Sequence, residues 1–236
     1  MAFQAPVRLL AAAKPSVPAA LLVAIASSTA VFAATPFLLP AVSEEYDVAI
    51  SSAGWMSTAQ LAGFVLASWV GGRFLRPVRS VFVIGTLIGV VANLASAAAP
   101  SFELLALTRF GSGVSLGLAA WIAWQAAFGN SEKTGDVAVV GPLVGMVMSP
   151  LIVALLESIG LRWLFVILAA ITATPLIWTR QVERTDRLRP HRTRHTPTRA
   201  ARAILLALGA ITLGGSSVFV YAAAIGKDLD GLSPLT

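Results

Sequence analysis

Few side chains in this 236-residue sequence are placed to do chemistry. Cysteine is absent, which excludes thiol nucleophiles, disulfides and cysteine-ligated zinc. His191 and His195 have the spacing of a metal pair on a helix, but Pro190 and Pro197 break that segment and the surrounding arginines repel a cation, so no metal site is expected. The sequence has no glycine-rich phosphate loop with a lysine, no Ser/His/Asp set and no carboxylate pair within an apolar run. Hydrolysis and other enzymatic chemistry therefore have no residues to perform them, and no cofactor is expected. One cation stands out. Arg109 lies inside the apolar run from Leu104 to Phe128, where an arginine costs at least about 2.5 kcal/mol unless water or a partner reaches it.

Two readings of Arg109 follow. Its side chain can reach back to the interface near Leu104, or it can serve a polar path through the apolar layer. At 100° per residue Arg109, Gly113, Ala120 and Trp124 fall within about 60° of one another. That face, with Gln125 beside Trp124, is the expected lining of a cavity for a small-molecule substrate or a proton. A second run, Gly141-Pro142-Leu143-Val144-Gly145 with Ser149-Pro150 after it, combines lost backbone donors with close-packing glycines, so a bent, deformable segment is expected there.

The elements that position these residues are legible from composition. Apolar residues make up 57% of the chain and charged residues 12%, a balance that would leave aggregating patches on a soluble domain. A mean hydropathy of +0.81 agrees. Seven apolar segments recur, at Val17 to Pro40, Gly54 to Gly72, Val81 to Ala99, Leu104 to Phe128, Val137 to Leu156, Trp163 to Trp178 and Ala203 to Ile225. Each approaches the roughly 20 residues that a bilayer crossing needs. They are rich in Ala, Leu, Val and Gly without period-two alternation, so a helical bundle is expected and a transmembrane barrel is not. The first is too long for a cleaved signal and is expected to be retained. Polar residues in the first two segments, Ser27, Ser28, Thr29, Thr35, Ser57, Thr58 and Gln60, are expected to bond between helices.

Charge placement orients the chain. Residues 180–202 hold eight arginines and two acids, which leaves the rest of the chain neutral within the overall net charge of +6. Between two apolar segments such a patch reads as a cytoplasmic loop, not as a nucleic-acid surface, and no nucleic-acid partner is expected. Alternating sides collects Arg8, Lys14, Arg73, Arg76, Arg79, Lys133 and those eight arginines on one face of the membrane, against Arg162 and Lys227 on the other. The N-terminus is therefore expected to be cytoplasmic, in a cell (inner or plasma) membrane.

Four short motifs then resemble one family. The turn Gly71-Gly72-Arg73-Phe74-Leu75-Arg76-Pro77-Val78-Arg79-Ser80 resembles the loop motif of the major facilitator superfamily, with Gly71, Arg76 and Arg79 at matching positions. Arg109 followed by Gly113 is similar to its fourth-span motif, in which the resemblance implies an arginine that takes part in proton coupling. Gly141-Pro142 with Gly145 resembles the Gly-Pro-x-x-Gly core found in drug:proton antiporters, and Gly160-Leu161-Arg162-Trp163-Leu164-Phe165 resembles the entry to the sixth span. The resemblance covers residues 17–225. It implies an all-α membrane protein, with a cytoplasmic N-terminus at 1–16, a six-span bundle at 17–178, a basic linker at 179–202, a seventh span at 203–225 and an outer tail at 226–236.

The resemblance also implies secondary transport of a small molecule by alternating access, with proton-linked efflux of a drug-like compound expected. Nutrient uptake and a truncated protein that does not transport are the alternatives. Members are built from two six-span halves with the substrate site between them. Twelve spans need about 240 residues before any loop is added, so the chain is expected to hold one half, the linker and one further span, ending in a turn toward a missing eighth helix. Its oligomeric state stays open.

Overall fold

The computed structural model describes residues 16–182 and 198–230. His191, His195 and most of the basic linker lie outside the described residues. The described chain forms the helices α1 (Ala19–Glu45), α2 (Ile50–Phe74), α3 (Arg79–Ala97), α4 (Phe102–Ala127), α5 (Ser131–Ala173) and α6 (Arg199–Asp230). A 3-10 helix (Thr174–Gln181) continues α5. No strand occurs among the described residues, as the absence of alternation required.

Polar residues cap the starts of α4 and α5. The Ser101 hydroxyl accepts from the Leu104 N–H at the start of α4, and the Asn130 side chain accepts from the Lys133 N–H at the start of α5, each satisfying one orphan donor. The connections between α1 and α5 are only a few residues long, so successive helices run antiparallel. Side-chain contacts show which termini meet. At one end the Ser16 N–H and hydroxyl donate to Asp136 Oδ2 at 2.7 and 2.8 Å, the Ala20 N–H donates to Gln181, and Arg79 Nη2 donates to Thr179 Oγ1 at 3.0 Å. At the other end Arg162 pairs with Glu45 at 3.0 Å, and the Tyr46 hydroxyl donates to the Ala99 carbonyl. One end thus gathers Arg73, Arg76, Arg79, Lys133 and Arg180, and the opposite end gathers Glu44, Glu45, Asp47 and Glu103. The two donors of Ser16 hold the Asp136 carboxyl below its ordinary range.

Among the described residues four helical stretches are long and apolar enough to cross a bilayer: α1, α3, α4 and the continuous run Ser131–Gln181. The expected first, third and fourth segments each coincide with one of these. The fifth and sixth share the last, where the backbone leaves helical geometry at Gly160, with φ 79° and ψ 174°, and again near the end at Trp178. The helix continues through Pro142 and Pro150, and the reversal sits at Gly160, where glycine alone has conformational freedom. The second and seventh segments correspond to α2 and α6, which are helical but not among those four. Serines, a glutamine and glycines dilute the hydropathy of α2.

Small residues let α2 and α4 approach closely. A Cβ on Gly63 would meet the Phe110 carbonyl, one on Gly113 the Gln60 carbonyl, and one on Gly117 the Phe64 carbonyl. Backbones in contact gain dispersion that lipid cannot offer, which is how helices associate inside a membrane. Helix α6 lies on α1 and α2: Phe219 stacks on Phe32 with ring centroids 5.7 Å apart, Tyr221 lies against Gly54, and Val220 is buried. Other α6 side chains, Ile204, Leu206, Ile211 and Val218, stay exposed.

Candidate functional site

The centre of the bundle is polar. Arg109 is fully buried, with 0% of its surface exposed, so it neither reaches back to an interface nor faces an open cavity. The guanidinium turns inward between four helical segments. Nη1 donates to Asn93 Oδ1 on α3 at 2.8 Å, and Nη2 donates to Ser112 Oγ on α4 at 2.9 Å. Nε and Nη2 share Gln60 Oε1 on α2, at 3.3 and 3.2 Å. The Phe165 ring, from the part of α5 beyond Gly160, lies 5.3 Å from the guanidinium carbon and offers its π face.

Every acceptor in this cage is neutral. Burying a charge without a counter-ion costs several kcal/mol, which several aimed dipoles offset only when their geometry is fixed. A second layer fixes it here. The Asn93 amide donates to the Gly89 carbonyl at 2.9 Å and to Thr172 Oγ1 at 3.2 Å, and Thr172 donates to the Leu168 carbonyl. Gly113 places the Gln60 backbone, because nothing larger fits between α4 and the Gln60 carbonyl. The Gln60 amide orientation is settled by Arg109, since only its oxygen can accept. Its nitrogen is then left buried without a partner, as are the Thr35 and Ser57 hydroxyls.

The other sequence candidates sit elsewhere. Trp124 is 45% exposed and Gln125 is exposed as well, so neither joins the cage. They share a helical face with Arg109 by angle, but fifteen residues of α4 separate Trp124 from it, about 22 Å of rise. Gly71 lies beneath the Trp121 ring, Arg79 bonds Thr179, and Arg76 is exposed, so the loop motif does not converge on one point. A Cβ on Gly141 would lie 3.9 Å from Thr29 Oγ1 on α1, an ordinary contact. Pro142 is exposed, and a Cβ on Gly145 would meet nothing. Of the polar residues expected to bond between helices, Gln60 does, whereas Ser27 and Thr58 bond carbonyls of their own helices. Sequence reasoning missed Asn93, Ser112, Thr172 and Phe165. Asn93 carried a usable signal, an amide four residues from the end of α3, as Arg109 is seven from the start of α4.

Two comparisons bear on what this arrangement belongs to. The chain is similar to the lincomycin resistance protein of Streptomyces lincolnensis, with 31% identity over 141 residues, 55% of this chain. The match covers 28% of that relative's length. Residues 20–236 match the family described as Major Facilitator Superfamily, nearly the whole sequence. With apolar antiparallel helices and a buried intramembrane arginine behind that match, the chain is a multi-pass membrane protein and belongs to the Major Facilitator Superfamily.

Proposed function

We propose that this chain forms part of a secondary active transporter that moves a small molecule by alternating access, by proton-linked efflux of a drug-like or amphipathic compound. The observation that carries the reading is the Arg109 cage, a permanent charge held at depth by the side-chain acceptors Gln60, Asn93 and Ser112 and the Phe165 ring. A group so costly to bury is retained in a membrane span where it serves an ion or substrate path. The similarity to a lincomycin resistance protein supports export of a drug-like compound.

A guanidinium does not release its proton in a protein. Arg109 therefore acts in a proton-linked cycle as a fixed field that favours the charged form of an acid or an anionic substrate brought near it. Gln60 and Asn93 are positioning residues for that field. Exposing Arg109 during the cycle needs α2 and α4 to part or the far section of α5 to move, and the Gly63, Gly113 and Gly117 contacts set how far. The site lies in a cell membrane with the basic end cytoplasmic.

The test is accumulation of labelled drug in cells that carry the complete gene, with and without an uncoupler. Efflux that collapses with the proton gradient supports the reading; native efflux in both Arg109→Lys and Arg109→Ala, at normal membrane levels, refutes the role of the cage. Sidedness is read with single cysteines at Arg76, Arg194 and Ser52. Labelling at position 194 by an impermeant reagent in intact cells would reverse the orientation.

A further inference from the structure

A shallow groove opens at the basic end of α3, lined by Arg79, Ser80, Val83 and Ile84. Its two halves differ in chemistry. Arg79 and the exposed Ser80 hydroxyl form the upper rim, and Val83 and Ile84 form the lower wall. Arg79 is held in place, because its Nη2 donates to Thr179 Oγ1 on the 3-10 helix, at 3.0 Å. That bond uses one donor, and no carboxylate among the described residues pairs with Arg79. Below the groove the apolar wall continues along one face of α3 through Ile84, Leu87, Val91 and Leu94, all between 46% and 64% exposed. These four fall within about 80° of helix surface.

We propose that this groove is a binding site for one anionic phospholipid, with its phosphate on Arg79 and Ser80 and an acyl chain along Ile84, Leu87 and Val91. The order of the chemistry matches that of a lipid, from anion at the membrane surface to hydrocarbon below it. Charge complementarity selects the occupant. The turn at residues 71–80 carries three arginines and no acid, so it attracts anionic headgroups over zwitterionic ones. A free phosphate would meet the same cation but gain nothing from the apolar wall.

The experiment uses the purified 236-residue chain and native mass spectrometry after equilibration with phosphatidylglycerol or phosphatidylcholine of identical chains. One phosphatidylglycerol should be retained where phosphatidylcholine is not. Arg79→Gln should weaken its retention about fivefold, the factor expected for one basic residue at an anionic surface. Arg79→Lys should retain the lipid, which shows that the fold is intact. Ile84→Asn should weaken binding through the apolar wall. Arg180→Gln makes the same charge change at the same end but outside the groove, and should bind as the native chain does. Inorganic phosphate at millimolar concentration should not displace the lipid. Equal retention of both lipids, equal loss in R79Q and R180Q, or full displacement by inorganic phosphate would each overturn the proposal.

Discussion

Replacing Asn93 by leucine changes the cage while nearly preserving side-chain volume. Asn93 accepts from Arg109 Nη1 at 2.8 Å, donates to the Gly89 carbonyl at 2.9 Å and donates to Thr172 Oγ1 at 3.2 Å. Thr172 keeps its bond to the Leu168 carbonyl, and Gly89 keeps its place in α3, so the main loss falls on Arg109. A hydrogen bond to a charged group contributes about 1.5–3 kcal/mol, and no water stands ready to replace it at 0% exposure. Asn93→Leu should therefore cost about 2–3 kcal/mol while Arg109 remains. In an Arg109→Met background the same change removes an amide that no longer has a cation to hold, and it should cost close to nothing. The difference is a coupling of about 1.5–3 kcal/mol between the two positions. Chemical unfolding of the two single variants, the double variant and the native chain in one detergent completes the cycle. A coupling below about 0.5 kcal/mol, the level at which independent sites already add, would show that the neutral cage does not hold the charge.

Further outcomes follow from other contacts. Gly113→Ala pushes a Cβ onto the Gln60 carbonyl and should destabilise by about 1–3 kcal/mol, whereas Gly145→Ala, with open space around it, should be neutral or slightly stabilising in the same unfolding assay. Gly160→Ala forces a side chain into a backbone region at φ 79° and should cost about 1–3 kcal/mol, although no neighbour crowds the position. Asp136 binds Ser16 as the carboxylate and its pKa is lowered by those bonds, so the clasp is present above the ordinary aspartate value near 3.9 and is lost as pH falls through the lowered one. A stability difference between the native chain and Asp136→Asn should thus be present at neutral pH and vanish in acid, and a difference that grows in acid would reverse the assignment. Glu45→Gln breaks an ion pair whose side chains are 66% and 39% exposed, so it should change stability by less than about 1 kcal/mol.

The neutral cage changes how Arg109 is understood. An exposed arginine on a cavity wall would bind a passing anion directly, but a sealed one acts through the field it projects and through the helices that must move to uncover it. Asn93 joins α3 to the far part of α5 through Thr172, and Gln60 joins α2 to α4 through Arg109. The same contacts that satisfy the charge therefore bind the helices whose relative motion would expose it.

Sequence alone determined the class of the protein, because an excess of apolar residues in runs near twenty long has few solutions but helices in a bilayer. It also determined the alternation of the chain, since arginines and acids had to end on opposite sides, and it marked Arg109 as the residue needing an explanation. Tertiary structure decided where that arginine points. Helical periodicity places Arg109 and Trp124 on one face but carries no information about which neighbour covers that face at each depth, so the buried upper part and the exposed lower part looked alike. It also decided the partners, because Asn93, Gln60 and Phe165 lie on three other segments and come together only when glycines allow α2 and α4 to touch. The break in α5 belongs to the same category. Proline 142 lacks a donor yet stays helical, whereas Gly160 bears the reversal because the Arg162–Glu45 contact and the return toward Thr179 require the chain to turn there.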